Sequence, residues 1–112
     1  VALKCILRYL HSTASHGLHF KSSTEISINA YCDTDWAGCV DDRRSTHGYC
    51  VFLGGNLVSW ACKKQAMTSR SSTEAEYRAC AFATAEVIWI MSLLSELRVN
   101  LKTPLILWCD KI

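Results

Sequence analysis

The sequence lacks a strong charge of either sign. Twelve lysines and arginines stand against ten aspartates and glutamates, so the formal net charge is only +2 over 112 residues. A balance this small does not by itself indicate a nucleic-acid partner. Half of the residues are hydrophobic and a fifth are charged, which is ordinary for a globular protein and argues against disorder. The length allows one domain with a core of its own.

Paired cysteine motifs are also absent. The sequence has seven cysteines but no C-x-x-C pair, which argues against a zinc knuckle. A disulfide framework of the secreted kind would leave one of the seven thiols over. We therefore interpret the cysteines as reduced, small hydrophobic residues of an intracellular protein, cytoplasmic or nuclear. A small metal- or redox-binding protein that uses these thiols is an alternative.

The sequence has no signal peptide, and it shows no apolar run that we judge long enough to cross a bilayer. We therefore predict that a membrane is not among its partners. Internal repeats and low-complexity segments are absent as well. The chain begins without methionine and stops inside a strand-like run, so we expect a C-terminally truncated fragment.

The first half of the chain predicts one helix and three strands. Apolar residues recur at helical spacing in residues 1–11, and residues 25–33 alternate between apolar and polar side chains. Two β-rich runs then flank Gly54-Gly55-Asn56, a sequence typical of a hairpin turn. We predict that these three strands are antiparallel.

The second half predicts a long helix and a fourth strand. Ser71 followed by Glu74 fits a capping box, and residues 72–98 contain neither glycine nor proline. Pro104 then ends any helical path and precedes an apolar run at 104–110. The predicted fold class is α/β, an α+β mixed sheet with two helices.

Two strand-like runs each end in an acid. Asp33 closes the run YCD and Asp110 closes the run LWCD. Acids at strand ends are often only turn formers, and Asp35 opens a loop, so whether Asp35 contributes to a site stays open. Strict alternation places Asp33 on the face opposite Ile28. A bulge, or a sheet covered on both faces, would reconcile that position with a site under the long helix.

Glu76 is unusual on the long helix. The residues on its side at helical spacing are all small or apolar: Cys80, Ala83, Val87, Ile90 and Leu94. Glu74 instead falls on a solvent-facing line with Arg78. A carboxylate on the packing face is costly unless a cation compensates it. The alternative is that Glu76 reaches water over the sheet edge or benefits from the helix N-terminus.

The carboxylates of Asp33, Glu76 and Asp110 together form a set of oxygen ligands of the kind that Mg²⁺ takes. The segment from Arg43 to Arg78 also carries a local excess of basic residues. We predict that five of them contact a nucleic-acid backbone: Arg43, Arg44, Lys63, Lys64 and Arg70.

The runs YCDTDWAGCVDDRRSTHGYCVFLGG, VSWACKKQ, SRSSTEAEYRA and LWCD resemble the ribonuclease H domain of copia-type LTR retrotransposon Pol polyproteins. Residues 1–20 resemble the segment that joins the reverse transcriptase to that domain, and residues 21–112 resemble a part of the domain itself. The resemblance implies the ribonuclease H-like fold. It also implies cleavage of RNA in RNA–DNA hybrids with Mg²⁺ or Mn²⁺ as the cofactor. The partners that it implies are reverse transcriptase and other parts of the same polyprotein.

The resemblance also implies a role for each acid. Asp33, Glu76 and Asp110 match the catalytic, metal-binding acids of the family, and the E-Y-x-A pattern selects Glu76 over Glu74. The family continues after CD with asparagine, whereas Lys111 follows here, and a fourth acid lies further on. We therefore expect little activity from this chain alone. An inactive relic that at most binds nucleic acid or protein is the alternative.

Overall fold

The computed structural model describes residues 1–110, so Lys111 and Ile112 lie outside the described part. Its elements follow the predicted order of helix, three strands, long helix and fourth strand. They are α1 (Ala2–Ser12), β1 (Ile28–Asp35), β2 (Thr46–Leu53), β3 (Asn56–Lys64), α2 (Ser72–Glu96) and β4 (Ile106–Cys109). The first strand begins three residues later than the alternating pattern at 25–33, and the last strand is shorter than the apolar run at 104–110.

The four strands form one mixed sheet in the order β3-β2-β1-β4. β1 pairs antiparallel with β2, and β2 pairs antiparallel with β3. β4 lies parallel to β1, in register from the pair Asn29 and Ile106 to the pair Cys32 and Cys109. Parallel neighbours need a long crossover, and α2 provides it. The predicted α/β class with an antiparallel first half is therefore confirmed.

The hairpin turn lies where the glycines predict it. Leu53 pairs with Asn56, which leaves Gly54 and Gly55 as a two-residue loop between β2 and β3. Gly54 has φ of 62°, a left-handed conformation that glycine adopts without steric cost.

The helix α2 begins at the predicted cap. Ser71 Oγ accepts a hydrogen bond of 3.1 Å from the backbone N–H of Glu74. The Glu74 carboxylate accepts from the backbone N–H of Arg70 at 2.7 Å, one residue before the position expected of a capping box. The predicted pair of Glu74 with Arg78 is also present, at 3.0 Å.

α2 covers one face of the sheet. The core contains six buried residues that pack together across this interface: Ile28, Ala30, Val51, Val87, Ile90 and Leu94. Small residues at the start of the helix, Ala75, Ala79 and Ala83, are fully or almost fully buried, which lets the helix lie close to β1. Four of the five residues of the stripe predicted from helical spacing are therefore buried, Cys80 is half-buried, and Ala75 and Ala79 extend the stripe.

The other face of the sheet carries exposed aromatic side chains. Tyr31 of β1 stacks on Trp108 of β4 with ring centroids 6.5 Å apart, and Trp60 of β3 is also exposed. The helix α1 has no buried residue, so its apolar residues Leu3 and Ile6 are exposed too. Among the described residues, these surfaces are left uncovered.

α2 also corrects one sequence prediction. The expectation that no apolar run is long enough to cross a bilayer is wrong, because this helix of 25 residues is long and apolar enough by length and composition. Core helices of soluble proteins pass the same test, and the buried stripe of α2 packs on the sheet.

Candidate active site at one end of the sheet

Asp33 and Asp110 lie at the same end of neighbouring strands. β1 and β4 are parallel, and Cys32 pairs with Cys109, so each aspartate is the residue that follows a registered pair. Both are exposed. The Asp33 carboxylate accepts a hydrogen bond of 2.8 Å from the backbone N–H of Thr34. The predicted placement of two acids at one strand edge is therefore present.

Glu76 lies in the first half of α2 and is only 5% exposed. It is the one charged residue among the buried residues of this helix, as the helical spacing predicts. It faces β1 closely enough to interact with Cys32. Burial raises the pKa of the Cys32 thiol, and the negative charge of Glu76 adds to that increase.

The two faces of the sheet separate these acids. Cys32 is buried on the α2 side and contacts Cys80 of that helix, whereas its neighbour Asp33 is exposed. Because side chains alternate along a strand, Asp33 points to the face away from Glu76. β1 pairs with β2 in unbroken register from Ile28 to Asp35, so no bulge turns Asp33 round. Convergence of all three carboxylates stays a prediction.

Asp35 lies at the end of β1 and packs against the following loop. The Asp35 carboxylate occupies the space beside Gly38, so a side chain added at Gly38 would have to displace it. The loop is fastened further by Ser45, whose Oγ accepts a hydrogen bond of 3.0 Å from the backbone N–H of Ala37. Trp36 reaches in the other direction and donates its ring N–H to the backbone oxygen of Ser69 at 3.1 Å.

Basic residues border the same end of the sheet. Lys64, the last residue of β3, pairs with Thr46, which in turn pairs with Asp35 of β1. Arg43 and Arg44 belong to the loop between β1 and β2. The fifth predicted residue, Arg70, is exposed just before α2. The strand register and the β1–β2 loop therefore place Lys64, Arg43 and Arg44 at the end of the sheet where β1 ends, and the contact of the five residues with nucleic acid stays a prediction.

Two of these cations are already paired. Asp42 accepts Arg44 at 2.8 Å and Lys64 at 2.7 Å. The hydrogen bond from Lys64, with further help from the Arg44 backbone, holds the pKa of Asp42 well below its usual value. The same contact raises the pKa of Lys64. The other three of the five predicted cations, Arg43, Lys63 and Arg70, are exposed and are not paired with Asp42.

Lys63 belongs to a cleft of about 450 Å³ between β3 and α2. Its ammonium lies 5.5 Å from the centre of the Phe82 ring. His47 packs against the same ring at 4.4 Å, and Arg78 also lines the cleft. Burial, with a contribution from the charge of Lys63, lowers the pKa of His47.

One cluster of three thiols was not predicted as a site from the sequence. The sulfur atoms of Cys32 on β1, Cys80 on α2 and Cys109 on β4 all lie within 4.8 Å of one another. The shortest separation, between Cys32 Sγ and Cys109 Sγ, is 2.8 Å. A signal was available: two of these cysteines directly precede the candidate aspartates, and the third follows Glu76 by one helical turn. All seven cysteines, which lie in the described part of the chain, are free thiols.

Comparison with known proteins finds similarity over nearly the whole chain. It is 50% identical over 111 residues to the Retrovirus-related Pol polyproteins from transposons RE1 and RE2 of Arabidopsis thaliana, an alignment that covers 99% of this chain. It is 39% identical over 109 residues, or 97% of this chain, to the Retrovirus-related Pol polyprotein from transposon TNT 1-94 of Nicotiana tabacum. No family model and no solved structure matches.

The chain spans about 8% of the length of each of these relatives. The predicted resemblance to retrotransposon Pol polyproteins is therefore confirmed, while the ribonuclease H part of it stays a prediction. By its sequence, the chain is a homologue of a short segment of the retrovirus-related Pol polyproteins of copia-type transposons.

Proposed function

We propose that this chain is the core of a ribonuclease H-type unit that hydrolyses the RNA strand of RNA–DNA hybrids. One observation carries the proposal: two carboxylates lie at the same end of the parallel strands β1 and β4, and a third is buried on the adjoining helix α2. Asp33 and Asp110 follow the registered pair of Cys32 and Cys109, and Glu76 is buried under the same edge. The similarity to Pol polyproteins supports it, because reverse transcription produces RNA–DNA hybrids.

The three carboxylates fit a hard divalent cation in donor type. Mg²⁺ and Mn²⁺ prefer oxygen ligands, and Asp33, Glu76 and Asp110 are the residues that would hold them. When bound, such an ion activates water and neutralises charge on the phosphodiester. Asp33 and Asp110 are exposed and would hold it at the open edge, while Glu76 would contribute from the α2 side.

The exposed cations give the unit a surface for the hybrid. Arg43 and Lys63 lie at the same end of the sheet as the acids, and lysine and arginine contacts to phosphates supply most of the sequence-independent affinity for nucleic acids. Selectivity for RNA would come from contacts to the 2′-hydroxyl. The expected protein partners are reverse transcriptase and other parts of the polyprotein.

The decisive experiment compares two glutamates on one helix. In a polyprotein fragment that contains this segment and its natural neighbours, Glu76→Gln should abolish Mg²⁺-dependent cleavage of a labelled hybrid without unfolding the protein. Glu74→Gln is the matched control, because Glu74 is half-exposed and only pairs with Arg78 and the Arg70 backbone. Cleavage that survives Glu76→Gln, or that is lost in Glu74→Gln, would refute the proposal.

A second candidate is favoured by the orientation of Asp33. Because that side chain points away from Glu76, the segment could be a non-catalytic relic that binds nucleic acid through its cations. In that case the fragment would bind the hybrid without cutting it. In an NMR titration, Mg²⁺ would not shift the resonances of Asp33, Glu76 and Asp110 selectively.

A further inference from the structure

Three thiols from three different elements meet behind the proposed acidic edge. We propose that Cys32, Cys80 and Cys109 form a binding site for a soft divalent metal ion of the Zn²⁺ class. The inference does not depend on the proposed nuclease function, since it concerns sulfur ligands on the covered side of the sheet. The three sulfurs lie within 4.8 Å of one another.

The distances fit a tetrahedral thiolate site after a small adjustment. A Zn–S bond of about 2.3 Å implies that sulfurs on a tetrahedron lie about 3.8 Å apart. The pair Cys32 Sγ and Cys109 Sγ, at 2.8 Å, would open by about 1 Å, which a small change of side-chain torsion can supply. The distances from Cys80 Sγ to the other two sulfurs are at most 4.8 Å.

The ligands are carried on rigid elements. Cys32 and Cys109 are opposite each other in the parallel ladder of β1 and β4, and Cys80 lies on α2, which packs on that ladder. Sites built on strands and helices hold their ligands more precisely than loop sites do. Cys32 is buried, and Cys80 and Cys109 are half-buried, so an ion would be largely shielded from water.

Glu76 is buried on the same side of the sheet and interacts electrostatically with Cys32. The three cysteines alone carry the proposal, and the fourth position of a tetrahedral ion would be left for a water molecule. Mg²⁺, which prefers oxygen ligands, would not compete for a site of three thiolates.

A disulfide between Cys32 and Cys109 is the rival interpretation. It would account for the shortest separation but would give Cys80 no role. It would also need an external oxidant to accept two electrons and two protons. The convergence of a third sulfur from α2 therefore favours metal binding over a disulfide.

The test is a titration of the reduced chain with Co²⁺ under anaerobic conditions. We expect a thiolate-to-cobalt charge-transfer band that saturates at one ion per chain, disappears on addition of Zn²⁺ and is unaffected by excess Mg²⁺. Changing any one of the three cysteines to serine should weaken Co²⁺ binding by at least about tenfold, because even the loss of a hydrogen-bond partner behind a ligand costs that much. Cys62→Ser is the matched control, because Cys62 is exposed on β3, and it should bind normally.

Two results would overturn the inference. One is the absence of the charge-transfer band in the reduced chain, whether or not a Cys32–Cys109 disulfide forms in air. The other is a band that Cys62→Ser weakens as much as Cys80→Ser does. A parallel measurement avoids dependence on the variants: Zn²⁺ should raise the thermal unfolding temperature of the unmodified chain, and an unchanged temperature would count against the site.

Discussion

Lys64 Nζ lies 2.7 Å from Asp42 Oδ2, and the same carboxylate oxygen also accepts Arg44 at 2.8 Å. One acid of the β1–β2 loop therefore neutralises two of the five cations predicted to contact nucleic acid. These side chains are more than a third exposed, so the contacts contribute little to stability. Their consequence is for binding, since a paired cation is less available to a phosphate.

Asp42→Asn should strengthen binding of the polyprotein fragment to an RNA–DNA hybrid. It releases Lys64 and Arg44, and the released cations would displace counterions from the phosphates. The slope of log K against log salt concentration should become steeper by about 1 to 2. Fluorescence anisotropy over a range of salt concentrations measures this slope.

Asp41→Asn is the control for that experiment. It removes one negative charge from the neighbouring position, but Arg44 and Lys64 remain paired with Asp42. We expect a smaller increase in affinity and a slope close to that of the unmodified protein. Equal effects of the two substitutions would show that only net charge matters.

The cap of α2 is a test of local stability. Ser71→Ala removes the oxygen that accepts the Glu74 N–H and should lower the free energy of unfolding by about 1 kcal/mol. Ser72→Ala, at the next exposed position, should change it little. Urea denaturation followed by circular dichroism compares the two. Equal losses would mean that the cap does not stabilise the helix.

The close approach of α2 to the sheet depends on its alanines. Ala83 is fully buried, so Ala83→Leu would force the helix away from β1 and should cost about 1–3 kcal/mol of stability. Ala85→Leu places the same side chain on the exposed side of the helix and should be nearly neutral. A stable Ala83→Leu variant would show that the packing is looser than the structure indicates.

Much of the fold could be predicted from the sequence because its signals are local. The spacing around Glu76 identified the buried stripe of α2, Ser71 marked its start, and the two glycines marked the hairpin. The parallel pairing of β4 with β1 is a different matter. It joins Cys32 to a residue 77 positions away, and periodicity carries no information about which strands become neighbours.

The candidate site, like the fold, could be predicted from the sequence only in part. The sequence placed Asp33 and Asp110 at strand ends, and alternation indicated that Asp33 faces away from the helix, but only the parallel pairing of β1 with β4 shows that the two acids share an edge. The thiol cluster was missed because cysteine motifs are recognised by short spacings, whereas Cys32, Cys80 and Cys109 are brought together only by the tertiary fold. Apolar neighbours made each of them look like an ordinary core residue.

His47 gives the chain a specific response to acid. It is 8% exposed, and neither ring nitrogen has a hydrogen-bond partner among the described residues. Burial is the larger cause of its lowered pKa, and the charge of Lys63 is the smaller. Since the unfolded chain takes up a proton near the ordinary value of about 6.5, the stability tied to neutral His47 is complete above that pH. It is lost as the pH falls toward the lower pKa of the folded state.

We therefore expect the urea concentration at the unfolding midpoint of the unmodified chain to decrease as the pH is lowered from about 7.5 to about 5, a range that spans the ordinary histidine pKa. His47→Gln should flatten that decline, because glutamine has no proton to gain. His16→Gln is the matched control: His16 is exposed in the segment after α1, so its removal should leave the decline intact. A decline of the same size in His47→Gln would assign the acid sensitivity to other groups, since the buried imidazole would then contribute nothing to it.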